Sequence, residues 1–265
     1  MAEGSSTGLA RLDGKVALIT GASSGIGAGT ATMFSKLGAL VAITGRNAEN
    51  LQKTADECEK LGNKKPFCVV GDVCIEEDVK RIVDSSVKHY GRLDILVNSA
   101  GIVELGSIET TSLEQFDTLM NTNVRSMYHI TMLCTPHLVA TKGSIVNVSS
   151  VNGMRSFPNV LAYCMSKSAV DQFTRCCALD LAPKQVRVNS VNPGVIITEI
   201  HKRGGLDEEA YQKFLERTKF THALGRPGQV DEVSATIAFL ASDNASFITG
   251  AQIPIDGGRH AMCPR

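Results

Sequence analysis

The chain has 265 residues, of which 43% are hydrophobic and 20% charged, and this composition excludes a disordered or fibrous protein. Its 27 basic and 27 acidic residues balance, so no net positive charge attracts nucleic acid or an anionic membrane. No segment approaches the roughly 18 apolar residues of a membrane span, and the N-terminus lacks the basic start and apolar run of a signal peptide. We therefore expect a cytoplasmic protein without nucleic-acid or membrane partners, with a short flexible leader over residues 1–11.

The cysteines give no sign of disulfides or of a metal site. They lie at positions 58, 68, 74, 134, 164, 176, 177 and 263, with no CxxC pair and no paired Cys/His spacing. Since disulfides are rare in reducing compartments and zinc sites need such spacings, we expect free thiols and no metal.

Apolar segments rich in β-branched residues alternate along the chain with segments of helical spacing. The strand candidates cover residues 15–20, 40–44, 66–70, 93–98, 143–150, 185–191 and 251–256. Between them, residues such as Val79, Ile82, Val83 and Val87 recur on one helical face. Continuous apolar strands separated by helices imply a parallel sheet covered on both faces. We predict one α/β domain over residues 12–258, a Rossmann-like doubly wound sheet of seven mainly parallel strands, followed by a tail over residues 259–265.

A glycine-rich loop, TGASSGIG (residues 20–27), follows the first strand and leads into a helix. In this context backbone N–H groups can approach a pyrophosphate, whose charge is favoured at the helix N-terminus. The G-x-x-x-G-x-G spacing is one residue off the usual dinucleotide fingerprint, so an ordinary tight turn is the alternative. The predicted dinucleotide contacts in this loop are Gly21, Ser23, Ser24, Gly25, Ile26 and Gly27.

The end of the second predicted strand, ITGRN, bears on the choice between NAD and NADP. NAD sites place an acidic residue there for the ribose hydroxyls, whereas NADP sites offer arginine to the 2′-phosphate. Here Gly45 stands in place of the acid and Arg46 follows it, so we predict that NADP(H) is preferred and NAD(H) possible. The alternatives are that Arg46 is a solvated residue opening the next helix, or that both cofactors are used.

After the third predicted strand, Asp72 and Val73 are placed to hold an adenine ring. Asp72 could equally cap the helix that follows.

Tyr163 and Lys167, in YCMSK, are four residues apart and would share one face of a helix. Alone, such a pair occurs by chance on many helices. It is accompanied, in order, by NSAG (98–101), NTNV (121–124), VSSVNG (148–153) and NPGVIIT (192–198). With the glycine-rich loop, these motifs closely resemble the short-chain dehydrogenase/reductase family, over about Leu12 to Gly258.

The resemblance implies an Asn/Ser/Tyr/Lys catalytic tetrad at Asn123, Ser150, Tyr163 and Lys167. Asn121 is the runner-up for the asparagine, and the family spacing selects Ser150 over Ser149 because it lies thirteen residues before the tyrosine. The family pattern also implies cofactor contacts from Asn98, Ala100, Gly101, Pro193, Gly194, Ile196 and Thr198, as well as from Tyr163 and Lys167. Ser99 replaces a second asparagine that usually braces the neighbouring strand, a departure that touches stability more than catalysis.

Carbonyl reduction needs a hydride, a proton for the developing alkoxide and stabilisation of that oxygen. Tyrosine would supply the proton, and an ammonium one turn away would lower its pKa from about 10. The family pattern has Ser150 bind the substrate oxygen, Lys167 bind the nicotinamide ribose, and the asparagine hold a water for proton relay.

Residues 200–221 are where this family places a lid over the substrate, with Gly204 and Gly205 as hinges or as the cap of a short helix. Met154, Phe157, Pro158 and Leu161 are expected near the cleft and favour an apolar ketone or secondary alcohol. His201 and His222 have no assigned role, and no basic patch for acyl carrier protein is evident.

The helical segments 116–139 and 161–182 are apolar on more than one side, which is typical of interfaces. Family members commonly form tetramers through these helices, so we predict a homotetramer. Functionally, we expect an NADP(H)-dependent oxidoreductase of carbonyls and alcohols. The alternatives are an NAD-dependent hydroxysteroid or other alcohol dehydrogenase and, in another class, a non-catalytic dinucleotide-binding regulatory protein.

Overall fold

A computed structural model describes residues 11–62 and 64–263. Of the predicted leader, residues 1–10 lie outside the described part, as do residues 264 and 265 of the predicted tail. The other predicted elements lie within it.

The sheet has seven strands, all parallel, in the order β3-β2-β1-β4-β5-β6-β7, which confirms the predicted fold class. The strands are β1 (Val16–Ile19), β2 (Leu40–Gly45), β3 (Phe67–Val70), β4 (Ile95–Asn98), β5 (Ser144–Val148), β6 (Arg187–Pro193) and β7 (Gln252–Ile255). Every residue of β1 and β4 is buried, because these central strands are covered on both faces. Side chains of β1 alternate: Ala17 and Ile19 join the core on one face, and Val16 and Leu18 the core on the other.

The described residues contain ten helices. They are α1 (Gly25–Lys36), α2 (Ala48–Gly62), α3 (Glu76–Tyr90), α4 (Leu113–Met120), α5 (Ser126–Thr141), α6 (Val151–Met154), α7 (Leu161–Leu181), α8 (Ile200–Arg203), α9 (Glu208–Thr221) and α10 (Val230–Ala241). Phe34, Leu51 and Ile237 bring α1, α2 and α10 to one face, whereas Ile82 and Ile130 bring α3 and α5 to the other. None of these helices has both the length and the apolar composition to cross a membrane.

The strand order reverses between β1 and β4, which lie side by side. After β3 the chain returns to the other side of β1 to form β4. In open α/β sheets such a switch opens a crevice at the carboxyl ends of the strands. Thr20 ties the two loops there together, since its Oγ1 accepts hydrogen bonds from the backbone N–H groups of Ser99 and Ala100, both at 3.0 Å.

The eight cysteines all lie in the described part and are free thiols. Burial raises the pKa of Cys58 and of Cys177 to about 11. These two thiols therefore stay protonated and unreactive at neutral pH.

Candidate active site

The glycine-rich loop between β1 and α1 has no room for side chains at two of its glycines. Gly21 has a φ of +65°, and a Cβ there would lie 2.8 Å from the backbone of Ala100. At Gly27 a Cβ would lie 2.4 Å from the carbonyl oxygen of Gly21. The loop is thus packed against the end of β4, and the unpaired N–H groups of the first turn of α1 are left for a ligand. This arrangement fits a pyrophosphate group.

A cleft of about 1580 Å³ runs across the carboxyl ends of the strands. Its phosphate-loop half is lined by residues 21, 23–27, 45–47, 71–73 and 99–101. Its lid half is lined by residues within 152–160, 200–223 and 259–263. The predicted residues that line the cleft are Gly21, Ser23, Ser24, Gly25, Ile26, Gly27, Arg46, Asp72, Val73, Ala100, Gly101, Ser150, Tyr163, Lys167, Pro193, Gly194, Ile196 and Thr198. Asn98 and Asn123 do not line it.

Asn98 ends β4, and its side chain is engaged within the sheet. Its side-chain amide donates to Thr131 Oγ1 at 3.0 Å and to Asn147 Oδ1 at 2.9 Å. Asn98 therefore braces β4 against β5 and α5, whereas the neighbouring Ser99, expected to replace a brace, lines the cleft.

Arg46 lies at the end of β2, facing Asp72 across the cleft. Its Nη1 is 3.7 Å from Asp72 Oδ2, and its side chain is 70% exposed, so it is open to a ligand. A Cβ at Gly45 would lie 2.9 Å from Ser23 Oγ, so the phosphate loop crowds the position where an acid would stand. Asp72 Oδ1 accepts from the N–H of Cys74, and α3 begins only after Ile75, so Asp72 does not cap that helix.

Ser150 is the second residue after β5 and forms the N-cap of α6. Its backbone is extended, and its Oγ accepts from the N–H of Asn152 at 3.1 Å. This cap fixes the serine at the strand end, and its side chain is 6% exposed and lines the cleft. Tyr163 lines the same cleft, and the Ser150 hydroxyl lowers its pKa.

Tyr163 and Lys167 lie one turn apart on α7 and both face the cleft. Lys167 Nζ donates to the carbonyl oxygen of Val148 at 3.0 Å and lies 5.7 Å from the centroid of the Tyr163 ring. The lysine side chain is nearly buried. Three elements, β5, α6 and α7, thus bring the serine, tyrosine and lysine together.

Burial sets the protonation of this pair more strongly than their mutual contact does. It raises the pKa of Tyr163 to about 12, although the hydrogen bond with Ser150 lowers it. It also lowers the pKa of Lys167 to about 8, although the carboxylate of Asp171 raises it. Desolvation of the phenolate thus raises the pKa of Tyr163, where the sequence led us to expect a lowering.

Asn123 lies in a π-helical turn, Asn121–Arg125, between α4 and α5. Its Oδ1 accepts from the N–H of Ile102, and its Nδ2 donates to the carbonyl of Ile102, both at 2.9 Å, and to Ser166 Oγ at 3.0 Å. The side chain is thus fully paired with protein groups beneath the cleft. A π-helical turn displaces backbone carbonyls from regular pairing and often marks a functional site.

Asp171 is a buried carboxylate that the motifs did not reveal. It follows Lys167 by one further turn of α7, is 2% exposed, and accepts two hydrogen bonds of 3.0 Å from Asn192 Nδ2. Its own pKa is raised by burial. The i, i+4 spacing of Lys167 and Asp171 was the available signal.

His222 lies behind the loop that follows β6. Its Nε2 accepts from the N–H of Val195 at 3.2 Å, and its side chain is 2% exposed. Burial lowers its pKa to about 4, with a further lowering from the charge of Arg259. His222 is therefore neutral at pH 7 and holds the backbone next to Gly194.

The predicted lid consists of α8 and α9. Gly204 ends α8, and Gly205 has a left-handed φ of +106°, so the pair forms the helix end. Arg203 Nη2 donates to Ser24 Oγ at 3.0 Å, which ties α8 to the phosphate loop.

Of the apolar residues expected near the substrate, Phe157 and Pro158 line the cleft, whereas Met154 and Leu161 do not and are 38% and 37% exposed. The C-terminal segment was assigned only as a tail, yet Arg259, Met262 and Cys263 also line the cleft. No local motif marks these residues.

The chain resembles proteins of known activity over nearly its whole length. The family model described as Enoyl-(Acyl carrier protein) reductase matches residues 21–260. A 3-oxoacyl-[acyl-carrier-protein] reductase of Thermotoga maritima is 40% identical over 250 residues, which cover 94% of this chain and 98% of that one.

Two solved structures also match this chain over nearly its whole length. A short-chain dehydrogenase/reductase of unknown function from Caenorhabditis elegans, solved with cofactor, superposes with a TM-score of 0.90 at 38% identity, covering 96% of this chain and 97% of that one. Carveol dehydrogenase from Mycobacterium avium in complex with NAD gives a TM-score of 0.89 at 28% identity, covering 96% and 100%. The chain therefore belongs to the short-chain dehydrogenase/reductase family, as an oxidoreductase that acts on CH–OH and C=O groups.

Proposed function

We propose that the protein is an NADP(H)-dependent reductase of a small-molecule ketone, or dehydrogenase of the corresponding secondary alcohol, with Tyr163 as the acid/base. The observation that carries the proposal is the convergence of Ser150, Tyr163 and Lys167 on the same cleft as the glycine-rich loop. The loop residues and the N-terminus of α1 would hold the pyrophosphate, and Lys167 the nicotinamide ribose. When bound, the cofactor supplies or accepts the hydride.

The protonation states suit Tyr163 as a proton donor. With a pKa of about 12 its phenol is protonated at pH 7, and with a pKa of about 8 Lys167 is mainly charged. In reduction, Ser150 binds the carbonyl oxygen and Tyr163 donates its proton to the alkoxide as it forms. The ammonium of Lys167 stabilises the phenolate left behind, at the moment when that charge develops.

Asn123 would take part in proton relay through its backbone. Its side-chain atoms are engaged by Ile102 and Ser166, so a bound water would use a carbonyl group of the π-helical turn. The side chain serves to hold that turn against the loop after β4.

A preference for NADP(H) rests on Arg46, which is exposed in the phosphate-loop half and has no acid at position 45 beside it. Asp72, at 3.7 Å, offsets part of its charge and favours the second candidate, an NAD-dependent alcohol dehydrogenase. A screen of ketones and alcohols first identifies a ketone that the protein reduces. The test then measures kcat/KM for NADPH and for NADH with that ketone. We expect the wild type to prefer NADPH. Arg46→Ala should lower kcat/KM for NADPH about tenfold, because a hydrogen bond between charged groups is lost, and should change kcat/KM for NADH little. A clear NADH preference of the wild type would overturn the assignment.

A homotetramer is proposed from exposed apolar side chains on α5 and α7. Tyr128, Met132, Met165 and Leu179 are 57%, 50%, 47% and 76% exposed. Apolar surface of this extent is typical of an interface. Light scattering is expected to give the mass of four chains, and the mass of a single chain would contradict the proposal.

A further inference from the structure

The lid half of the cleft is cationic. Arg155, Arg217, Lys219 and Arg259 line it, beside His201 and His222, whose pKa values burial lowers to about 4 so that both are neutral at pH 7. Among the residues that the structure describes, Asp72 is the only one with a carboxylate side chain in the cleft lining, and it faces Arg46 in the phosphate-loop half. Within residues 11–62 and 64–263, no carboxylate oxygen lies within 4.0 Å of a charged nitrogen of these four residues. A local excess of positive charge is thus built into a molecule whose formal net charge is zero.

Of these four cationic residues, Arg259 is the best placed to bind an anion. Its guanidinium lies 4.3 Å from the centroid of the Phe157 ring, and its Nε is buried without a hydrogen-bond partner in the described part of the chain. Burying a polar N–H without a partner is costly. Burial lowers the pKa of Arg259 and the positive charge of Arg217 lowers it further, and these two effects outweigh the opposite effect of the Asp256 carboxylate.

The negative charge of Asp256 raises the pKa of Arg259 and so offsets part of this cost. The carboxylate of Asp256 already accepts hydrogen bonds from the N–H groups of Gly258 and His260 and lies 2.9 Å from His260 Nδ1. No hydrogen bond joins it to Arg259 in the described residues. An external anion between Arg217 and Arg259 would neutralise both guanidinium groups.

The cofactor's phosphates do not account for the cationic residues of the lid half. Arg203 is tied to Ser24 in the phosphate loop, and Arg46 stands beside the second strand, so these two arginines serve that end. Arg259 instead packs on Phe157, seven residues after Ser150, in the segment that leads from the catalytic serine to α7. The charge therefore lies where a substrate, rather than the cofactor, would extend.

We propose that the substrate carries an oxyanion, a carboxylate or a phosphate, that binds Arg259 and Arg217 while its carbonyl group faces Ser150 and Tyr163. Guanidinium groups bind such oxyanions through paired hydrogen bonds. The apolar body of the substrate would contact Phe157 and Phe214, the latter on α9 and 4.6 Å, ring to ring, from His201. This inference rests on the proposed function and refines its substrate class.

The test compares charged and neutral forms of the same ketone with NADPH. The probes are a series of oxo carboxylates of increasing chain length, each with its methyl ester, and dihydroxyacetone phosphate with dihydroxyacetone. We expect the charged member of the best pair to have a kcat/KM at least about tenfold higher, the effect of one hydrogen bond between charged groups. The carboxylate and phosphate pairs distinguish the two sources of the oxyanion.

Variants then assign the preference to these arginines. Arg259→Gln and the exposed Arg217→Gln are each expected to lower kcat/KM for the charged probe about tenfold more than for its neutral partner. Lys213→Gln on the same helix is the control, because Lys213 pairs with Glu209 outside the cleft lining and its loss should change neither value. Equal kcat/KM for charged and neutral probes in the wild type, or a preference unchanged in both arginine variants, would overturn the inference.

Binding separates this inference from the proposed reaction. Calorimetric titration of the Tyr163→Phe variant, loaded with NADPH, with the same probes measures recognition without turnover. Tighter binding of the charged probes supports the anion site even if the wild type reduces none of them, an outcome that would count against the proposed reaction alone. Turnover of neutral ketones without tighter binding of any charged probe would overturn the anion site alone.

Discussion

The phosphate-loop half and the lid half of the cleft are built in different ways. The first is formed by short loops directly after β1, β2, β3 and β4, so buried strands fix its backbone from below. The second is formed by the segment after α6, the helices α8 and α9, and a turn near the C-terminus, which are far apart in sequence. The first half presents mainly backbone groups, and the second presents long side chains.

This difference separates what the fold requires from what it leaves free. A glycine such as Gly21 is required by the close approach of Ala100, and another residue there would disturb the sheet edge itself. Arg217 and Arg259 project from surface elements and are not required for the sheet to form. We therefore expect changes in the first half to affect cofactor binding and folding together, and changes in the second to affect substrate choice alone.

The largest effect is expected at the boundary between the two halves. Replacing Tyr163 with phenylalanine removes the proton donor, and we expect kcat for ketone reduction to fall about 10²- to 10⁴-fold. Dissociation constants for NADPH, measured by fluorescence titration, should change far less because the phosphate loop is intact. Full activity in Tyr163→Phe would show that the assigned mechanism is wrong.

A second substitution tests whether the phosphate-loop half is fixed by its backbone. Gly21→Ala places a Cβ 2.8 Å from Ala100 at a φ of +65°, and we expect NADPH binding to weaken at least about tenfold. Gly91→Ala is the matched control, since Gly91 also has a positive φ, +75°, but has no atom within 4 Å of the added Cβ. Both variants should lose roughly 1 kcal/mol of stability from backbone strain, and Gly21→Ala should lose more because its Cβ also meets backbone atoms of Ala100. Equal NADPH affinity in the two variants would contradict the close-approach argument.

Asp171→Asn tests the charge that supports Lys167. The carboxylate raises the pKa of Lys167, so its removal should lower that pKa below about 8. Because the ammonium is required, activity falls as pH rises through this pKa. The alkaline limb of kcat/KM for reduction should therefore move to lower pH, by roughly one pH unit. Asp180→Asn, an exposed change on the same helix, should leave the limb in place.

The smallest effect concerns stability in acid. Burial lowers the pKa of His222 from 6.5 to about 4, so below pH 6.5 the unfolded chain binds more protons than the folded one. The free energy of unfolding keeps this contribution in full above pH 6.5 and loses it as pH falls toward 4. At pH 5 the loss is about 2 kcal/mol. Urea unfolding at pH 7 and pH 5 should show a smaller loss in His222→Gln than in the wild type. The exposed His89→Gln serves as control, and an identical loss in His222→Gln would contradict the account.

The fold and most of the phosphate-loop half could be predicted because they depend on local signals. Apolar strands alternate with amphipathic helices, and a glycine spacing such as that of Gly21 and Gly27 reflects backbone crowding within one loop. The pairing of Asn98 with Thr131 and Asn147, and of Asn123 with Ile102, could not be predicted because the partners come from other elements. The cations of the lid half carry no motif, since Arg217 and Arg259 meet only in the folded chain.

The most direct measurement follows the hydride from the cofactor, in the phosphate-loop half, to the ketone, in the lid half. NADPH carrying deuterium at the transferable C4 position is incubated with the protein and a ketone, and the alcohol is analysed by mass spectrometry and NMR. We predict one deuterium at the carbinol carbon, and transfer slowed at least about 10²-fold in Tyr163→Phe. An alcohol without deuterium, or transfer as fast in Tyr163→Phe as in the wild type, would contradict the assignment of this cleft as a hydride-transfer site.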